Sequence, residues 1–291
     1  MSTASTPRSD RRHLAVQLAA GFADLSYVVY EPAKAARTVL CIPDFLGNAA
    51  DFSRLAVVLS EHGFRVVCPD LPGRGASAYL DVADYNPHTY MVSLLALAQS
   101  LGTTRLMVIG KGWGGLLALG LTRLQELTIS KLVLADVGFP WRLAIDDAVR
   151  AAAGGAGFAT LTEARRFLAD TNEFSGLTPQ RALPLIDGRL KQIDSGYGLD
   201  FDPGLLSPDA TARFTNVRIT PLFEGLTAQL LYLAAGSLPG RDRARLRAIT
   251  SAAPNRSLAE NLSRASRVHF TSSHELLLVL GFLVSRSLPA L

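Results

Sequence analysis

Gly110-Lys111-Gly112-Trp113-Gly114-Gly115 sits between a short apolar run and a helical pattern. A glycine-rich turn in that place can do chemistry in two ways. Read as G-x-G-x-x-G, Gly110, Gly112 and Gly115 let the backbone approach a pyrophosphate at a helix N-terminus. Asp136, about 20 residues on, would then take a ribose hydroxyl. That reading makes a dinucleotide-binding oxidoreductase. The turn's position argues against it, because two strand–helix units precede it, whereas this fingerprint opens its domain. Read instead as a strained strand-to-helix turn, G-x-S-x-G, the segment would present a nucleophile at its centre. The residue there is Gly112, which has no side chain to attack with.

The elements that must hold this turn are legible as alternating short apolar runs and helical patterns. Strands are expected at 13–20, 25–30, 38–42, 64–68, 105–109, 131–136, 228–235 and 265–270. Helices are expected at 49–61, 87–101, 113–125, 241–251 and 274–288. Runs of about five Val, Ile and Leu residues separated by helices indicate a buried, mostly parallel sheet. Binding sites in such sheets lie beyond the carboxyl ends of the strands. The rhythm breaks after the sixth strand. The plan is therefore a loose tail (1–10), a core made of 11–137 and 226–291, and a helical cap inserted at 138–225.

Composition narrows the function classes. Of 291 residues 48% are hydrophobic and 19% charged, which suits a packed core and not a disordered chain. The longest apolar runs fall short of the ~20 residues a membrane span needs, and the N-terminus does not read as a signal peptide. A cytoplasmic protein is expected. The net charge of +4 is scattered. Arg241, Arg243, Arg245 and Arg247 recur at alternate positions and wrap around a helix, so a solvated surface is expected there and no nucleic-acid face. Cys41 and Cys68 end strand-like runs and form no zinc motif. No cofactor or metal is expected.

Four motifs in order resemble the α/β-hydrolase family over nearly the whole chain. Ile42-Pro43-Asp44-Phe45-Leu46-Gly47-Asn48 resembles the loop after the third strand. Cys68-Pro69-Asp70-Leu71-Pro72-Gly73-Arg74-Gly75-Ala76-Ser77 is similar to the PD-x-PGRG-x-S segment after the fourth. Leu134-Ala135-Asp136-Val137-Gly138 is similar to the LxDVG end of the sixth, and Ser273-His274 occupies the place of the late Gly-His motif. The resemblance implies an eight-stranded, mostly parallel sheet flanked by helices, with an inserted helical cap and a Ser–His–acid triad.

The chain departs from that triad. Gly112 stands at the nucleophile position. Gly236-Ser237-Leu238-Pro239-Gly240 carries no acid after the seventh strand. Pro43 and Asp44 replace His-Gly in the oxyanion loop. His274 is the retained base position, and Asp136 or Asp242 is its possible acid. The Trp113 and Phe45 amides would bind a carboxylate or carbonyl oxygen, with Asp44 and Lys111 beside them. Phe139, Trp141, Phe158, Phe167, Phe174 and Tyr197 are candidate cap-side pocket walls. A degenerate triad of this kind implies a non-hydrolytic pseudoenzyme that binds a small apolar or carboxylate ligand or a protein partner. The alternative is an enzyme using His274 as acid–base without a serine, or a weak esterase-like hydrolase.

Overall fold

A computed structural model describes residues 8–32, 34–35, 37–138, 143–215, 217–235, 240–260 and 267–285. The chain runs β1 (Arg8–Leu18), β2 (Gly21–Glu31), β3 (Arg37–Ile42), α1 (Ser53–Glu61), β4 (Phe64–Pro69), α2 (Pro87–Ser100), β5 (Arg105–Lys111), α3 (Trp113–Leu121) and β6 (Thr128–Ala135). It then leaves the sheet through α4 (Asp147–Ala153), α5 (Leu161–Ala169), α6 (Pro179–Asp187), the hairpin β7 (Leu190–Ile193) with β8 (Gly196–Leu199), and α7 (Pro208–Ala212). It returns with β9 (Gln229–Ala234), α8 (Gly240–Ser251), β10 (Arg256–Glu260) and α9 (Ser273–Val284).

Eight strands form one sheet in the order β1-β2-β4-β3-β5-β6-β9-β10. The β1–β2 and β2–β4 pairs are antiparallel and all other pairs are parallel. The sheet is covered on both faces, which explains its unbroken apolar runs. Along β3, Leu40 and Ile42 enter one core with α2 and α3, while Val39 and Cys41 enter the other with α1 and α9. Alternation by two thus feeds two cores from one strand.

Two expectations about elements change. The last strand is β10, at Arg256–Glu260, and residues 267–270 are not in a strand. β10 is an edge strand with partly exposed Arg, Ser and Glu positions, so it lacks the continuous apolar run that marks a central strand. β1 begins at Arg8, inside the segment expected to be a tail. Its pairing partner β2 runs its full length, and backbone pairing rather than burial recruits those polar residues.

Asp51 and Asp70 are among the buried polar residues, and Cys41 and Cys68 are buried free thiols. Among the described residues, no helix is long and apolar enough to cross a membrane, and no group of three or more His, Cys, Asp or Glu side chains could hold a metal.

Candidate functional site

The glycine-rich turn closes β5 and opens α3. Gly112 has φ 49° and ψ −117°, a backbone conformation that a side chain makes costly. Gly114 allows α3 to press against β3, since a Cβ there would overlap the carbonyl oxygens of Ile42 and Pro43. A Cβ on Gly112 would overlap the carboxylate of Asp44. The space over the elbow is therefore filled, and by an acid from the loop after β3.

That acid is firmly held. Asp44 Oδ1 accepts from the Phe45 amide at 2.7 Å and from the Trp113 amide at 2.8 Å. These are the two amides expected to bind a carboxylate, and the carboxylate they bind is the protein's own. Asp44 Oδ2 accepts from Arg267 Nη1 at 2.9 Å. The helix N-terminus where a pyrophosphate would sit is thus already capped by a carboxylate, which removes the structural basis for the dinucleotide reading.

A cavity of about 530 Å³ opens beside this group. Its walls carry both polar side chains, among them Asp44, Asp136, Asp242 and Arg267, and apolar ones such as Leu143 and Leu168. Asp136 has φ 54°. That conformation turns its carboxylate across the strand ends, where it accepts from the Val268 and Ala235 amides. Burial pushes its carboxyl pKa up, and the Val268 hydrogen bond and the charges of Lys111 and Arg267 oppose this only in part. Asp242 reaches the same cavity from the first turn of α8.

His274 does not join these groups. Ser272 and Glu275 form a capping box that starts α9, and the next residues in, Ser273 and His274, face solvent. Neither Asp136 nor Asp242 has a hydrogen bond to it among the described residues. The histidine that faces inward is His269. Its Nε2 meets the Glu173 carbonyl oxygen at 2.8 Å, and its ring stacks on Phe174 at 5.9 Å between centroids. A carbonyl only accepts, so Nε2 carries the proton. Nδ1 then presents its lone pair to the Lys111 ammonium at 3.4 Å. Both nitrogens are engaged, and neither is free to serve as a base.

Lys111 is buried, 2% exposed, and also lies 3.6 Å from Glu173. Glu173 and Asp51 share Arg189, which grips Asp51 with two bonds of 2.9 and 2.8 Å and Glu173 with one of 2.9 Å. Burial raises the Glu173 carboxyl, but Arg189, Lys111 and Arg267 overcome it and hold that carboxyl well below the usual range. Arg189 precedes β7, so this network ties the inserted segment to the sheet.

Arg267, His269, Glu173, Arg189 and Asp51 carried no local signal in the sequence. Arg267 lies 223 residues from its partner Asp44, and Arg189 lies 138 from Asp51. Of the aromatic wall candidates, Phe174 lines the cavity, and Phe158 pairs with Phe167 at 5.0 Å. Phe139 and Trp141, and the segment 236–239 expected to lack an acid, lie outside the described residues.

The buried neutral His269 has a consequence for stability. Burial first, then the Lys111 charge, pull its pKa from 6.5 to about 3. Between those values the unfolded chain binds a proton that the folded protein does not. Stability is therefore intact above about pH 6.5 and lost as pH falls toward about 3. Urea unfolding from pH 7 to 4 should show a steeper loss for the wild type than for His269→Gln. Equal slopes would mean that the ring is already charged in the fold.

The family model of the alpha/beta hydrolase fold matches residues 37–192, and the chain belongs to that family. It is 30% identical over 179 residues to the 3-hydroxybutyrate-oligomer hydrolase of Cupriavidus necator, a match covering 59% of this chain and 61% of that protein. The chain thus spans less than two thirds of the length of that curated relative. An alpha/beta hydrolase from Novosphingobium aromaticivorans superposes with a TM-score of 0.80 at 26% identity, over 96% of this chain and 99% of the other. The thioesterase domain from the curacin biosynthetic pathway shares the fold, with a TM-score of 0.74 at 17% identity over 95% and 100% of the two chains. The expectation of a non-hydrolytic pseudoenzyme is corrected by these likenesses, since the relatives are named for hydrolysis. An absent serine does not by itself leave the elbow without a polar group, because the Asp44 carboxylate fills the space over Gly112.

Proposed function

We propose that this chain hydrolyses esters without a serine nucleophile, with the Asp44 carboxylate activating the attacking water. The observation that carries this reading is the place of that carboxylate. It sits over Gly112, held by the Phe45 and Trp113 amides, on the wall of a cavity large enough for a small ester. In this reading Asp44 Oδ2 takes a proton from water as the water oxygen bonds to the ester carbonyl carbon. The carbonyl oxygen becomes an alkoxide. Both hole amides are occupied, so the guanidinium of Arg267, which lines the cavity, takes that charge. Collapse breaks the bond to the alcohol, whose oxygen takes the proton that Asp44 accepted from the water, so that Asp44 is again a carboxylate and an acid and an alcohol are released.

Ester specificity is supported by the name of the Cupriavidus necator relative, and a short hydroxyacid ester suits a cavity lined by both charged and aliphatic side chains. The test is steady-state hydrolysis of methyl and p-nitrophenyl esters of 3-hydroxybutyrate and its dimer. Turnover above background is expected from the wild type, unchanged within about twofold in His274→Ala, because that side chain faces solvent. No turnover of any ester, or loss of turnover in His274→Ala alone, would sink this reading.

A further inference from the structure

The loop that carries Asp44 is gripped at two successive carbonyls by two buried arginines. The Leu46 oxygen accepts from Arg189 Nη1 at 2.5 Å, and the Phe45 oxygen accepts from Arg74 Nε at 2.6 Å. Arg189 is balanced by Asp51 and Glu173. Arg74 is not balanced. It is 0% exposed, and no carboxylate lies within ion-pair distance of it among the described residues. Its Nη1 donates to the Pro72 oxygen at 2.6 Å and to the Tyr90 hydroxyl, while Nη2 has no hydrogen-bond partner. Its guanidinium carbon lies 4.9 Å from the ring centroids of both Phe45 and Tyr90.

A buried cation without a counter-ion is costly, and rings and carbonyls offset that cost only in part. What the arrangement achieves is local. Arg74 holds the Phe45 carbonyl and the Phe45 ring together, and Phe214 packs edge-on against that ring at 5.0 Å between centroids. This restrains Phe45 on two sides, and its amide donates to Asp44 Oδ1. Lysine has no planar fork and cannot donate to Phe45 while stacking between two rings.

We propose that Arg74 is a positioning residue that aims the Phe45 amide at Asp44 and so fixes the carboxylate used in hydrolysis. It rests on the reading of Asp44 as the water-activating group. The experiment compares full-length wild type, Arg74→Lys and Arg74→Met in three measurements: kcat and KM on the best ester, thermal midpoint, and backbone hydrogen exchange at Phe45. Both variants should lose tenfold to a hundredfold in kcat with KM within about threefold, and the Phe45 amide should exchange at least tenfold faster. The Val108 amide, inside β5, should be unchanged. A fall in thermal midpoint alone, with kcat and Phe45 exchange unchanged below it, would reduce Arg74 to core packing and overturn the proposal. Should Arg74→Met not fold, Arg74→Lys decides by the same two readouts. Should the wild type hydrolyse no ester, the Asp44 reading fails, and Phe45 exchange still decides whether Arg74 positions the loop.

Discussion

Asp44→Asn is expected to lower kcat for ester hydrolysis by roughly a thousandfold, the range for removing a positioned general base. The substitution keeps the shape of the side chain. Its carbonyl oxygen can still accept from the Phe45 and Trp113 amides, so the elbow should stay closed. Its amide nitrogen would then face Arg267 Nη1, donor against donor, where a carboxylate oxygen now accepts at 2.9 Å. Arg267 should swing away, and the water would lose its proton acceptor at the same time. KM should rise only a few-fold, because the aliphatic side chains that line the cavity are untouched. The informative pair is kcat with the thermal midpoint. A midpoint near that of the wild type shows that the site, not the fold, was lost. Retention of more than a tenth of kcat would remove Asp44 from the reaction.

Gly112→Ser should destabilise the protein by about 3 kcal/mol and give no gain in hydrolysis. Two costs combine. A side chain in this backbone conformation costs ~1–3 kcal/mol, and its Cβ must displace the Asp44 carboxylate, an overpacking cost of ~1–3 kcal/mol. The thermal midpoint should fall by on the order of 5–10 °C. The new hydroxyl would find no base, because His269 has both ring nitrogens engaged and His274 faces solvent. The displaced carboxylate would also leave the Phe45 and Trp113 amides and Arg267 unsatisfied. Asp44→Gly combined with Gly112→Ser should relieve only the overlap, because the backbone strain at position 112 and the loss of the carboxylate from its two amides and Arg267 remain, so the midpoint should lie below that of the wild type and the two changes should not add. A thousandfold gain in hydrolysis by Gly112→Ser with an unchanged midpoint would show that Asp44 moves aside freely and that a base lies within reach.

The histidines show where sequence reading reached its limit. His269 and His274 are five residues apart, and the late position of His274 made it the natural base. The capping box Ser272–Glu275 decides otherwise. It starts α9 at Ser273, which leaves His274 on the solvent side of the first turn. His269 lies in the loop that crosses the strand ends, where Lys111, Phe174 and Glu173 enclose it. The capping pair is visible in the sequence as S-x-x-E. Its effect on the direction of a histidine is not, because that depends on which face of α9 packs on the sheet.

By itself the sequence determined the fold class, the glycine elbow and the loop after β3. Local physics is enough for these. Strands covered on both faces read as unbroken apolar runs, and a left-handed backbone turn selects glycine. The tertiary structure alone decided what fills the space over Gly112. In the chain, Gly112 is a missing nucleophile and Asp44 an intrusive charge, 68 positions before it. In the fold they are one feature, because β3 and β5 are neighbours in the sheet and their carboxyl ends converge. Arg267, brought in from beyond β10, completes the site. A carboxylate anchored by two amides and an arginine from three separate segments exists only once the sheet has set their distances, since no spacing along the chain encodes them.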